Sequence, residues 1–260
     1  MPLKVTSRPI ELASIPTGDF LFARSNQTLV GQGTALRLSA TGPDRISTLA
    51  SKWREVCAEA EIVDGVKLPG SSLVAFSSIT FSENSKIESV LVVPRRLYVI
   101  RPEISFVIEV AGEDEADAKT STPTQFHAGR LSAAGFEAAV TNAITKIQET
   151  ELDKVVLSRD LEMVLDSQPD LTIPLARLRS RYPDCWTYKV EGVFGASPEL
   201  LLRAERGEVS ARVLAGTAGR GTDPDVDRAI ADGLSHSIKN NHEHAYAVQS
   251  MVSELEPFCD

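Results

Sequence analysis

Between Phe20 and about Val110 the apolar residues come in short runs, FLFA, ALRL, LVAFSSITF, ESVLVV and RLYVI, separated by Gly, Pro, Asn and Asp. Runs of this length bounded by turn-formers predict strands. One segment breaks the pattern: over residues 44–60, Ile46, Leu49, Trp53, Val56 and Cys57 recur at helical spacing, with Asp44 placed to cap the helix. Strands, one helix and more strands point to antiparallel sheet. The second half restarts at Ser132, a candidate cap for a helix with Phe136, Val140, Ile144 and Ile147 on one face. Strands are expected over residues 153–163, 185–193 and 194–203, the last with Pro198 inside it, and a helix over 174–182. After a charged turn at 205–208 a short strand enters a glycine-rich loop. Residues 223–256 then predict one long helix stopped by Pro257, with Ile230, Leu234, Ile238, Ala245, Val248, Val252 and Leu255 towards one side. Between the halves, residues 112–124 are polar and acidic and contain Pro, as an exposed linker would.

Composition narrows the class. A chain of 260 residues, 42% hydrophobic and 24% charged, is ordinary globular material, long enough for one large domain or two small ones. With 27 Lys+Arg against 36 Asp+Glu the net charge is −9, which argues against a nucleic-acid or anionic-membrane partner. Cys57, Cys185 and Cys259 are odd in number and far apart, so they suggest neither a disulfide framework nor a Cys-x-x-Cys site, and they fit a reducing cytoplasm. The first 20 residues contain no signal-peptide apolar core, and the weakly polar stretch 71–81 is far short of the ~20 residues a spanning helix needs.

Four places could carry chemistry. The loop AGTAGRG (residues 215–221) precedes a helix with an acidic first turn, and its backbone N–H groups could cradle a carboxylate; an ordinary strand-to-helix loop would look the same. Lys154 opens a strand, where a lysine is commonly a solvated end; buried, it would favour the neutral amine and could act as a base. Glu199 follows Pro198, a residue of edges and bulges, and is either an edge charge or an acid. In KNNHEH (239–244) the histidines stand two apart, the wrong spacing for a shared metal on a helix. Glu243 lies off the apolar stripe, in line with His236 and Asn240, and either meets solvent or offers a hard oxygen to Mg2+. His127 and His236 show no partner pattern.

Taken in order, KVVLSR (154–159), FGASPELLLR (194–203), LAGTAGRG (214–221) and KNNHEH (239–244) resemble the motifs of the chorismate-utilising enzymes, which include isochorismate, salicylate, anthranilate and aminodeoxychorismate synthases. The likeness is clear over residues 131–260 and diffuse before them. It implies an α+β fold: large antiparallel β-sheets packed as a sandwich with surrounding helices, one chorismate-binding domain whose half 1–127 precedes the motif-bearing half 128–260. Carried over motif by motif, Lys154 matches the water-activating base, Glu199 the general acid and Glu243 a ligand of the catalytic Mg2+, while Ala215, Gly216 and Thr217 match the loop that contacts a substrate carboxylate. All three side chains are expected to converge on one cleft.

The same resemblance sorts the activities. Aminodeoxychorismate synthases carry Lys where this chain has Ala215, and anthranilate synthases usually carry Gln where it has Lys154. Isochorismate synthase is therefore the expected activity: a Mg2+-dependent isomerase of the cytoplasm that converts chorismate for siderophore or menaquinone synthesis. Salicylate synthase stands second and anthranilate synthase component I third. The family continues beyond the first metal-site helix, so this chain is expected to lack part of the site, to be inactive alone and to expose apolar surface open to self-association. The competing reading is an inactive fragment that serves only as a binding or assembly module.

Overall fold

The computed structural model describes residues 2–111, 126–150, 152, 155–165 and 169–259. By its contacts the chain divides into two units, Met1–Glu113 with Leu175–Asp260, and Asp114–Pro174. The halves drawn at residue 127 are a division of motifs, whereas these units are a division of contacts.

The first unit is built on strands β1 (Lys4–Ile10), β2 (Phe20–Arg24), β3 (Gln27–Ala40), β4 (Glu61–Asp64), β5 (Phe76–Ser78), β6 (Ser89–Ile100) and β7 (Ser105–Val110), with helix α1 (Arg45–Glu59) between β3 and β4. The same chain order continues in the second unit with β8 (Phe126–Ala128), helix α2 (Ala133–Glu149) and β9 (Leu161–Met163). Helix α3 (Thr172–Arg181) then leads back to β10 (Trp186–Val190), β11 (Val193–Ser197), β12 (Leu200–Glu205), β13 (Glu208–Arg212), α4 (Pro224–Ser235) and α5 (Ile238–Leu255). Nine strands form one sheet in the order β11-β10-β2-β3-β6-β7-β1-β4, with β5 branching from β6. The pairs are antiparallel except β1 with β4. The fold is the mixed α+β arrangement of a large sheet with helices that the motifs led us to expect. The hairpin β12–β13 and the pair β8–β9, joined through α2, are two-stranded sheets of their own.

Several boundaries moved for identifiable reasons. ESVLVV and RLYVI are one strand, β6, although Pro94 interrupts them. Proline cannot donate to a ladder, and it is accommodated because the register of β3 shifts between Thr34 and Leu36, opposite Pro94 and Val93. Helix α1 starts after Asp44 as expected, but Asp44 makes no side-chain cap. The helix entrance is tied down instead by buried Arg45, which donates to the carbonyls of Thr80, Gly42 and Phe81. Ser132 does cap α2, accepting from Gly135 N–H at 3.1 Å. The strand expected over 153–163 shrinks to β9, because only Leu161–Met163 finds a partner, in β8; residues 155–160 are irregular. The linker expected at 112–124 lies outside the described residues.

The core sits in the first unit, where Val5, Phe20, Phe76, Val92, Leu97, Val99, Phe106 and Ile108 cluster across the sheet. Leu49 is buried, and Trp53 and Val56 of α1 pack on this core. Beyond Val110, the buried residues among those described are Leu175, Thr187 and Val190. No helix among the described residues is long and apolar enough to cross a membrane.

Candidate active site

Strand β11 leaves the large sheet at Pro198, which has no N–H to continue a ladder. Glu199 follows in the two-residue gap before β12, its own N–H accepted by Ser197 Oγ at 3.1 Å. The expected single strand over 194–203 is thus two strands in two sheets, parted at the Pro-Glu step. The Glu199 side chain is exposed.

Strands β12 and β13 turn through Arg206 and Gly207, both at positive φ, the backbone of a tight hairpin turn. Past β13 the glycine-rich loop begins. Gly216 has φ +82, a left-handed conformation, and a Cβ there would stand 3.1 Å from the Asn240 Cβ. Only glycine allows so close an approach in that conformation. Ala215 and Gly216 are half-buried and Thr217 is exposed. At the other end of the loop the Gly221 N–H donates to Asp227 Oδ1 at 2.8 Å, and Arg220 donates to both Asp227 oxygens. The Arg220 guanidinium, and after it the Gly221 N–H, hold the Asp227 carboxyl below its ordinary pKa. The acidic first turn therefore occupies part of the nest from within the chain.

The long helix expected over 223–256 is two. Asp223 caps α4 by accepting from the N–H groups of Asp225 and Val226. His236 Nδ1 lies 2.8 Å from the Asp232 carbonyl at the other end, and Ser237 then caps α5 by accepting from Asn240 N–H at 3.3 Å. On α5 the half-buried residues are Asn240, Glu243, Ala247, Met251 and Leu255, one face at helical spacing. The stripe of Ala245, Val248 and Val252, expected to face sheet, is exposed and lines an open groove with Asn241 and His244. The covered face therefore carries two polar residues, Asn240 and Glu243, beside the apolar Ala247, Met251 and Leu255. His242 is exposed and meets the Tyr246 ring edge-on, 4.9 Å between centroids.

What the structure joins is the glycine motif and the KNNHEH motif: Gly216 lies on Asn240, one turn before Glu243 on the same face of α5. Lys154 lies outside the described residues. Among the described residues no group of three or more His, Cys, Asp and Glu could hold a metal ion. Glu243 has the donor chemistry Mg2+ takes, but as one carboxylate rather than a shell. Sequence reasoning missed Asp227, for which the available signal was a carboxylate in the first turn after an Asp-Pro helix start.

A family model described as "Chorismate binding enzyme" matches residues 102–260. The chain belongs to the chorismate-binding enzyme family. Curated relatives of this chain include isochorismate synthase EntC of Escherichia coli, 38% identical over 125 residues that cover 46% of this chain and 32% of EntC. A second relative is the salicylate biosynthesis isochorismate synthase of Pseudomonas aeruginosa, 27% identical over 261 residues, 88% of this chain and 54% of that protein. The chain thus spans only about a third to a half of these relatives. Among solved structures, MenF, the menaquinone-specific isochorismate synthase of E. coli, superposes with a TM-score of 0.72 at 17% identity, covering 98% of this chain and 64% of that one. That likeness establishes the shared fold.

Proposed function

We propose that this chorismate-binding chain carries the acid–base and first metal-site elements of an isochorismate synthase, acting in the cytoplasm and serving siderophore or menaquinone synthesis. The observation that carries the reading is the seating of Gly216 against Asn240. It brings the loop matched to the substrate carboxylate next to the helix face that bears Glu243. The names of the relatives point the same way, and three free cysteines suit a reducing compartment.

In this reading the backbone at Gly216 and Thr217 orients a carboxylate of chorismate. Lys154, as the neutral amine, takes a proton from the water that adds at C2. Glu199, protonated, gives a proton to the C4 hydroxyl, which departs as water while the double bond shifts. Water gained equals water lost, so the reaction is an isomerisation. Glu243 would be one protein ligand of Mg2+, which when bound would hold the ring and withdraw charge from it.

The test is incubation of the chain, and of any longer reading frame that contains it, with chorismate and Mg2+, followed by chromatography. Isochorismate is the expected product. Lys154→Ala and Glu199→Gln should each lower turnover by at least ~10², because each group acts in the transition state. Near-wild-type turnover of either variant would remove that residue from the mechanism, and anthranilate or salicylate as product would replace the assignment.

A further inference from the structure

The glycine-rich loop is fastened at both ends, and the second fastening has no part in the chemistry proposed above. At its rear, Arg220 donates Nε to Asp227 Oδ1 at 2.7 Å and Nη2 to Oδ2 at 2.6 Å. The Gly221 N–H adds a third bond to Oδ1. A Cβ at Gly221 would fall on the Asp227 backbone nitrogen, so the loop backbone lies directly on the first turn of α4. The helix does not need this carboxylate to start, because Asp223 already takes the N–H groups of Asp225 and Val226. Nor is stability a sufficient account: the Arg220 side chain is 88% exposed, and pairs of that kind ordinarily contribute little. What a two-pronged guanidinium and a backbone donor on one carboxylate do fix is geometry.

We infer that Asp227 is a positioning residue which, through Arg220 and Gly221, holds residues 216–221 in the conformation that presents the Gly216–Thr217 backbone to the substrate carboxylate. The inference rests on the function proposed above. Both Asp227 oxygens are turned to the loop, accepting from Arg220 and Gly221. Together with the Gly216–Asn240 contact it pins the loop between the first turns of α4 and α5, so the spacing of those two helix starts sets where the carboxylate sits.

The test compares wild type, Asp227→Ala and Arg220→Lys, with the Gly221 measurements made on this chain and the chorismate measurements on whichever form, this chain or a longer frame that contains it, turns chorismate over. Arg220→Lys keeps the charge but loses the fork, and it stands in should Asp227→Ala fail to fold. The Gly221 amide resonance should move in both variants, and its hydrogen exchange should quicken by about tenfold or more as the loop opens locally. Chorismate affinity should weaken by about fivefold or more, and in turnover KM should rise with kcat held within about twofold, the mark of lost positioning. Asp227→Glu should recover part of both effects. An unmoved Gly221 amide in both variants overturns the inference, as does a loosened loop with undiminished affinity for chorismate. If neither this chain nor a longer frame that contains it takes up chorismate, the proposed function falls, while the Gly221 measurement still decides whether the clamp holds the loop.

Discussion

Glu243 sits on a half-buried helix face, and the metal-ligand role proposed for it can be tested separately from the acid–base roles proposed for Lys154 and Glu199. Glu243→Gln keeps the size of the side chain and removes its charge, so the Mg2+ concentration needed for activity should rise. Superimposable Mg2+ activation curves for the two proteins would end the ligand assignment. Gly216→Ala tests the loop from its other side. The substitution forces a side chain into a left-handed residue, which costs about 1–2 kcal/mol, and presses on Asn240. A lower melting temperature together with weaker chorismate binding is the expected outcome, measured by thermal unfolding and calorimetry. At this scale the sequence motifs single out Glu199, Gly216 and Glu243, and the structure adds the close approach of Gly216 to Asn240. Asp227 is not among them, because an acid in a helix's first turn commonly serves only the helix dipole. Only the geometry shows that its oxygens go to Arg220 and Gly221.

Elements were legible where hydrophobic pattern and packing agree, as in α1 and the hairpin strands, and illegible where a side-chain hydrogen bond decides the outcome. Pattern alone runs α4 and α5 together; Ser237, whose hydroxyl accepts the Asn240 N–H, restarts the helix. Strand β1 escaped notice because Lys4–Ile10 carries few apolar residues, yet it lies between β7 and β4. Its pairing with β4 is closed by Asp64, which accepts from the Ser7 and Ser71 hydroxyls at 2.7 Å each and from the Val66 and Lys67 N–H groups. These donors, the Lys67 N–H foremost, hold the Asp64 carboxyl well below the usual carboxylate range. A depressed pKa means that the folded state favours the ionised form. The stabilisation is therefore fully present above the unfolded value of about 3.9 and fades as pH falls through the lower folded value. Asp64→Asn should melt below wild type by a constant margin at neutral pH, and the gap should narrow below about pH 4 as wild type loses its advantage. A gap independent of pH down to the acid limit of folding would show that the carboxylate's charge is not what the turn requires.

Across the whole molecule the core is lopsided: it draws on residues before 111 almost entirely, while Leu201, Ile238, Val252 and Phe258 are 79%, 88%, 58% and 84% exposed. Among the described residues Ala245, Val248 and Val252 lie together on the exposed side of α5, and a contiguous apolar face of this kind is a surface for association. Sedimentation should accordingly reveal concentration-dependent self-association, and replacing Val248 and Val252 by Ser should weaken it while changing stability by no more than ~0.5 kcal/mol each. Phe106→Ala, by contrast, should cost about 3–5 kcal/mol and unfold the sheet. A protein that stays monomeric at all concentrations would mean that the exposed stripe is tolerated as it stands. The family motifs announced this half of the chain clearly, but which side of α5 turns inward was not in the pattern, because covered Asn240 and Glu243 are polar. The order of the nine strands has a further consequence, in time rather than in space. Strands β1 to β7 are all made within the first 110 residues, but β2 is an outer strand until β10 arrives, and the Arg24–Asp184 hydrogen bond at that junction spans 160 residues. At a synthesis rate of ~5–20 residues per second, the nascent chain holds that strand open for roughly ten to thirty seconds. Its sequence, Phe20-Leu21-Phe22-Ala23-Arg24, is apolar with a single terminal charge, which makes the ribosome-bound intermediate a substrate for chaperones and for pairing with neighbouring nascent chains.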